Sequence, residues 1–148
     1  MTVPKRRVLA LDLGARRIGL ALSDELGITA QGLPTLERKN LRTDLDALDR
    51  LIHDYGVRLV LLGNPLRMSG AAGAGSQQAV RFGEQLHRRT GVPIRLWDER
   101  LTTSEASRVL RSSGISIAKR AQAVDRLSAV LLLASFLDHE NAGGGTEL

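Results

Sequence analysis

The chain has 148 residues, of which 43% are hydrophobic and 25% charged, enough for one domain with its own core. It contains no cysteine, which excludes disulfides and thiolate metal sites, and its three histidines lack the spacing of a zinc site. No apolar run reaches the ~18 residues of a membrane span, so we expect a cytoplasmic protein with no membrane partner. The net charge of +5 and the pI near 10.6 suit a nucleic-acid binder, although a general arginine bias would explain them equally well.

Three strands are predicted at the start of the chain. Apolar runs predict the first over Arg7–Leu13 and the second over Arg17–Ser23. The short turn "GARR" between them favours an antiparallel hairpin. A third strand follows in "ITAQGLPTLE", where Gly32 and Pro34 favour a position at the edge of the sheet.

Helices and strands then alternate. Leucines at helical spacing predict a helix from Leu41 that ends at Gly56, and "VRLVLLG" predicts a buried parallel strand over residues 57–62. A glycine-rich loop over residues 63–75 leads to a second helix, which ends at Gly91.

The last part of the chain predicts one more strand and two helices. The strand covers residues 94–97, and Thr102 with Glu105 has capping-box spacing for a third helix. The final helix is predicted over residues 118–140, and residues 141–148 as a flexible tail. Residues 1–140 are therefore expected to form a single domain, with a mixed sheet and helices on its faces.

Acidic residues are expected to meet at one edge of this sheet. Asp12 ends the first strand, Glu99 follows the fifth, and Asp125 stands in the first turns of the last helix. Like charges so close repel one another unless cations neutralise them. Carboxylates without Cys or His favour Mg²⁺ or Mn²⁺, so we expect a divalent metal site. For Asp125 alone, a helix-capping role is the simpler interpretation.

Four segments of the chain resemble motifs of the YqgF family. They are "LALDLGARRIGLALSD", "LVLLGNPLRMSG", "LWDERLTTSEA" and "AVDRLSAVLLLASFL", and together they span most of residues 8–137. Members of this family are described as Holliday junction resolvases or pre-16S rRNA nucleases. The resemblance implies an α/β, ribonuclease H-like fold. Its five-stranded mixed sheet would have an antiparallel second strand and helices on both faces.

The resemblance also implies a site. Asp12, Glu99 and Asp125 match the acidic residues of the family, so they are the expected catalytic residues and the ligands of two Mg²⁺ or Mn²⁺ ions. The expected activity is two-metal hydrolysis of phosphodiester bonds in nucleic acid. The glycine-rich segment is expected near the substrate, and Gly14 is expected to need a positive φ. The candidate nucleic-acid-binding residues are Gly14, Arg16, Arg17, Asn64, Arg67, Arg100 and Arg126.

Several functions remain open from the sequence. The first is processing of the 5′ end of pre-16S rRNA during ribosome biogenesis. The second is resolution of four-way DNA junctions in recombination and repair, which would require paired sites and therefore a homodimer. A third is a non-catalytic RNA-binding protein of ribosome assembly. A nucleotide phosphotransferase of the actin and sugar-kinase type is disfavoured, because neither its second phosphate loop nor its adenosine motif is found.

Overall fold

The structure is a computed structural model that describes residues 4–64, 74–98 and 117–144. The elements in chain order are β1 (Arg7–Leu13), β2 (Arg17–Ser23), β3 (Ala30–Glu37), α1 (Leu41–Tyr55), β4 (Val57–Asn64), α2 (Ala74–Thr90), β5 (Ile94–Asp98) and α3 (Ile117–Gly144). The bounds of β1 and β2 agree with the sequence prediction, and β4 and β5 run slightly further than predicted. The helix predicted from Thr102 lies outside the described residues.

The five strands form one mixed sheet in the order β3-β2-β1-β4-β5. β2 is antiparallel to both β1 and β3, whereas β1, β4 and β5 are mutually parallel. The predicted five-stranded sheet with an antiparallel second strand is therefore confirmed, as is the edge position of β3. The carboxyl ends of β1, β4 and β5 share one edge of the sheet, where ligand sites of such sheets lie.

Local sequence signals account for the ends of α1. Asn40 caps its start, with a side-chain oxygen that accepts a hydrogen bond from the N–H of Thr43 at 2.9 Å. Gly56 ends it in the left-handed conformation at φ 66°, and its N–H donates to the carbonyl of Ile52. Leu45, Leu48 and Ile52 fall on one side of the helix and are buried against the sheet.

The alternation of side chains along β1 builds a core on each face of the sheet. Leu9 and Leu11 pack with the apolar sides of α1 and α2. Val8 and Ala10 point to the opposite face, where they pack with Phe136 and its neighbours on α3. The prediction of helices on both faces is confirmed. We call these the α1/α2 face and the α3 face.

The last helix lies over a row of small residues. Ala10, Ala21 and Gly32 are partners across β1, β2 and β3, and the buried Ala129 of α3 packs on the same face. A Cβ on Gly32 would lie 3.3 Å from the Cγ2 of Val130, so this row lets the helix approach closely.

Contacts beyond the row hold the far end of α3 to the sheet. Arg58 donates to Glu140 at 2.7 Å, and Asn141 donates to the carbonyl of Gly27 at 3.2 Å. The helix runs to Gly144, so it includes residues 141–144, which the sequence assigned to a flexible tail. Among the described residues, no helix is long and apolar enough to cross a membrane.

Candidate active site

Asp12 lies at the carboxyl end of β1, on the α3 face. The preceding side chains on that face, Val8 and Ala10, are fully buried, whereas Asp12 is only partly buried. The strand thus carries its carboxylate from the core towards the edge where β1, β4 and β5 end. The sequence predicts this position for Asp12.

Glycines stand beside Asp12 on both neighbouring strands. Gly19 of β2 is its direct partner in the antiparallel ladder. On the other side Leu11 pairs with Leu62, so the next position of β4, Gly63, lies beside Asp12. Neither neighbour places a side chain next to the carboxylate on the α3 face. The positions that flank Asp12 on the two adjacent strands therefore contribute no side chain beside its carboxylate.

Trp97 continues this row on β5. It pairs with Gly63, and its ring meets that of Phe136 edge-on with the centroids 5.3 Å apart. Its indole N–H donates to the hydroxyl of Ser135 at 3.3 Å. The guanidinium of Arg95 lies 5.4 Å from the Trp97 ring centroid. Trp97 therefore joins β5 to α3 close to the end of the strand.

The structure describes only part of the predicted acidic site. Asp125 belongs to α3, one turn before the buried Ala129, but its side chain lies outside the described set. Glu99, Arg67 and Arg100 lie outside the described residues altogether. Among the side chains that are described, no group of three Asp, Glu or His could hold a metal ion. The three-carboxylate centre stays a prediction.

Asn64 and Arg126 occupy different parts of the molecule. Asn64 ends β4 and pairs through its backbone with Asp98 of β5. The exposed Arg126 lies over β3, where a Cβ on Gly32 would come within 2.8 Å of its Cγ. Its aliphatic stem thus covers Gly32, two strands away from β1.

The turn after β1 brings two arginines near Asp12. Arg16 is exposed, and its carbonyl accepts a hydrogen bond from the N–H of Arg38 at 2.8 Å. Arg17 begins β2 two positions before Gly19, so strand alternation places its side chain on the Asp12 face. The hairpin thus presents a guanidinium on the same face as the carboxylate.

The expectation of a positive φ at Gly14 was wrong. The described glycines with positive φ are Gly27, Gly56 and Gly91. Gly14 is required for space instead, because a Cβ there would lie 2.7 Å from the carbonyl oxygen of Arg17.

Asp24 lies at the opposite edge of the sheet, where it organises the turn between β2 and β3. Its carboxylate accepts backbone hydrogen bonds from Ile28 at 2.7 Å and Thr29 at 3.0 Å. The bond from Thr29, followed by that from Ile28, lowers the pKa of Asp24 below its usual value. Asp24 therefore has a structural role far from Asp12.

Sequence reasoning missed a group of cations on the α1/α2 face. Arg38, Lys39 and Arg81 line a cavity of about 810 Å³ that also touches Gly14. The adjacent Arg38 and Lys39 before the cap of α1 were the available signal. Nothing in their spacing indicated that Arg81 would join them, because α2 brings it there through tertiary packing.

Comparison with known proteins identifies the family. A family model described as "RuvX: Holliday junction resolvase" matches residues 6–139. The chain belongs to this family. The motif resemblance is thereby confirmed, since RuvX and YqgF denote the same family.

Sequence relatives of this RuvX-family chain cover most of its length. A protein of Koribacter versatilis (strain Ellin345) is 56% identical over 89% of this chain and 86% of its own length. One from Syntrophus aciditrophicus (strain SB) is 46% identical over 89% of this chain and 88% of its own length. The names of both propose that they are pre-16S rRNA nucleases.

Solved structures of resolvases share the fold. RuvC of T. thermophilus, in complex with a Holliday junction substrate, matches with a TM-score of 0.57 at 14% identity, over 91% of this chain and 96% of that one. The Fowlpox virus resolvase in complex with Holliday junction DNA matches with a TM-score of 0.54 at 11% identity, over 90% of this chain and 97% of that one. The ribonuclease H-like fold predicted from the motifs is confirmed.

Proposed function

We propose that this protein is a metal-dependent nuclease that hydrolyses phosphodiester bonds in structured RNA, in the processing of the 5′ end of pre-16S rRNA. The observation that carries the proposal is the position of Asp12. Its carboxylate lies at the common end of three parallel strands, between two glycines, on the face that α3 covers. Membership of the RuvX family and the names of the sequence relatives agree with it.

The acidic residues fit a hard divalent cation. Asp12 would share the ligand role with Glu99 and Asp125, and carboxylate oxygens are the ligands that Mg²⁺ and Mn²⁺ prefer. Gly19 and Gly63 place no side chain beside the Asp12 carboxylate, so a cation and a phosphate bound there would meet no side chain from these two positions. When bound, two such ions supply an activated water and stabilise the charge on the leaving oxygen.

The protein's own residues would bind and orient the substrate. Asp12 places its carboxyl group at the strand end, and Arg17 on the same face would offer planar N–H donors to a phosphate. Arg16 extends from the exposed turn, where it would contact the backbone without reading sequence. Trp97, held by Phe136 and Ser135, stiffens the end of β5 from which Glu99 follows.

A four-way DNA junction is the second candidate substrate. The family description itself names Holliday junction resolvases, which favours this alternative. Resolution requires two symmetric cuts, so it would also require a dimer that presents two copies of the site. A non-catalytic RNA-binding role would use the basic surface and leave the carboxylates without a purpose.

A side-by-side cleavage assay tests the proposal. The substrates are an RNA with the 5′-extended end of 16S rRNA, a single-stranded RNA of equal length, a four-way DNA junction and a linear duplex with the sequence of one arm. Each is incubated with Mg²⁺, Mn²⁺ or EDTA. We expect metal-dependent cleavage of the precursor RNA. Symmetric cleavage of the junction alone would contradict the RNA substrate, and binding without cleavage under every condition would contradict the nuclease.

A further inference from the structure

A cavity of about 810 Å³ lies on the α1/α2 face of the described structure, outside the Asp12 site. The turn after β1 forms one wall through Gly14 and Ala15. The starts of α1 and α2 form the other walls, with Leu41 and Gly75 among the lining residues. We call this cavity the α1/α2 pocket. It lies at the same edge of the sheet as Asp12 but on the opposite face.

The described lining of the α1/α2 pocket is positively charged. Arg38, Lys39 and Arg81 oppose a single acid, Asp44. Asp44 is only 3% exposed, and one of its oxygens accepts the backbone N–H of Lys39 at 3.0 Å while the other lies 3.8 Å from Nε of Arg38. Its charge is therefore compensated within the wall. Within the described part of the chain, Lys39 and Arg81 form no ion pair, so two cationic side chains are left to a ligand.

Arg38 is held in a fixed orientation at the pocket wall. Its Nη1 donates to the carbonyl of Gly14 at 2.8 Å, and its guanidinium lies 5.8 Å from the centroid of the Phe82 ring. The bond to Gly14 uses one of the five N–H donors of a guanidinium. Because Arg38 also links the turn to Asp44, the charge of the pocket is coupled to the turn that follows Asp12.

The chemistry of this lining selects phosphate. Two helices begin at the pocket, so their partial positive ends add to the side-chain charges. Gln78 and Gln85 contribute amide groups that can donate to oxyanions. The aromatic residue of the described lining, Phe82, is 4% exposed and lies beneath Arg38, so it offers no face for a base to stack on. The pocket therefore suits the backbone of a nucleic acid better than a free nucleotide.

We propose that the α1/α2 pocket binds backbone phosphate of the nucleic-acid substrate, through Lys39, Arg81 and Arg38, on the far side of the turn from Asp12. Gly14 lines the pocket and stands two residues after Asp12, so one strand of nucleic acid can pass the turn and touch both faces. The identity of the ligand as nucleic acid rests on the proposed function, whereas the preference for phosphate rests on the pocket itself.

Binding measurements in the Asp12→Asn background test this site without cleavage. The variant Lys39→Gln with Arg81→Gln is compared with a control of equal charge change, Lys5→Gln with Arg88→Gln, whose residues are exposed and do not line the pocket. The probe is a fluorescein-labelled RNA hairpin with a single-stranded tail, titrated across a salt series. Melting curves establish that each variant is folded.

We expect the pocket variant to bind about 10-fold more weakly at low salt, with a salt slope shallower by roughly 0.7–0.9 for each phosphate that is no longer bound. The control should have a salt slope closer to that of the Asp12→Asn protein. The charge-conserving variant Lys39→Arg with Arg81→Lys should restore the salt slope of the Asp12→Asn protein. Equal slopes for the pocket variant and the control would overturn the proposal. A titration with adenosine monophosphate gives a second possible contradiction. A pocket variant that no longer binds this nucleotide but still binds RNA as before would also overturn the proposal.

The outcome is separable from that of the proposed nuclease. Absence of cleavage by the wild type, together with the expected slopes, would remove the catalytic function and keep the phosphate pocket. Cleavage by the wild type, together with a salt slope of the pocket variant equal to that of the control, would keep the catalytic function and remove the phosphate pocket.

Discussion

The backbone N–H of Gly14 donates to the carbonyl of Arg17 at 2.8 Å, and this bond closes the turn between β1 and β2. A Cβ at position 14 would lie 2.7 Å from the same oxygen, closer than real Cβ atoms come to a neighbour. Gly14 is therefore needed in this turn because there is no room for a Cβ beside the Arg17 carbonyl. Its backbone is not in the left-handed conformation. The turn connects the candidate active site to the α1/α2 pocket, because Gly14 stands two residues after Asp12 and lines the pocket.

Replacement of Gly14 by Ala should destabilise the protein. The added methyl forces Arg17 and its carbonyl to move, and overpacking of this kind typically costs about 1–3 kcal/mol. Urea denaturation followed by circular dichroism measures the free energy of unfolding. Ala15→Ser, at the exposed next position, is the control and should stay near the wild type. An unchanged free energy in Gly14→Ala would contradict the close approach of the two residues.

Replacement of Arg16 and Arg17 by Ala should weaken binding of every nucleic-acid sequence by a similar factor. If both arginines bind phosphate, removal of each should make the salt slope shallower by roughly 0.7–0.9. Anisotropy titrations across a salt series measure this, with Arg50→Ala and Arg88→Ala together as the control for net charge. A slope equal to that of the control would mean that the two arginines serve only surface ion pairs, worth about 0–1 kcal/mol.

The turn at Asp24 should make stability depend on acid pH. Backbone donors from Thr29 and Ile28 hold the pKa of Asp24 below its usual value, so the folded protein favours the ionised carboxylate. This stabilisation is present above the pKa of the unfolded chain, near 4, and is lost as the pH falls through the lower folded value. Melting temperatures of the wild type and Asp24→Asn should therefore converge as the pH falls from about 6 to about 2.5. A difference that stays constant would show that the carboxylate charge contributes nothing.

Binding of Mg²⁺ or Mn²⁺ should raise the melting temperature. A cation that binds only the folded state stabilises it, and three close carboxylates would repel one another without it. Scanning calorimetry in millimolar metal, against NaCl of equal ionic strength, measures the shift. Asp12→Asn should be slightly more stable than the wild type without metal and respond less to it. A wild-type melting curve indifferent to metal would contradict a preformed site.

Local patterns predicted most of the fold. The alternation in β1 and β2, the leucine spacing of α1 and the stop at Gly56 each act within a few residues, so the sequence shows them directly. The full extent of α3 was not predictable in this way. Near its end, Glu140 and Asn141 bond to Arg58 and Gly27, which are distant from them in sequence.

The candidate site was predictable in part for the same reason. The alternation of side chains along β1 accounts for the face on which Asp12 lies. The parallel order of β1, β4 and β5 accounts for its place at the edge where these strands end. The glycine on each side of it becomes meaningful only with the strand register, which pairs Asp12 with Gly19. Arg38 and Arg81 come together only when α2 packs beside α1, so no spacing along the chain indicates their pocket.

The most direct test of the account is cleavage by Asp12→Asn, measured on the same preparations as binding. The change keeps the shape of the side chain and removes its negative charge. Asp24→Asn, the same change at the opposite edge of the sheet, is the control. We expect Asp12→Asn to lose cleavage of the precursor RNA at saturating Mg²⁺ or Mn²⁺ and to keep nucleic-acid affinity close to that of the wild type, while Asp24→Asn cleaves normally. Wild-type turnover in Asp12→Asn would contradict the account, because the carboxylate at the end of β1 would then have no part in the reaction.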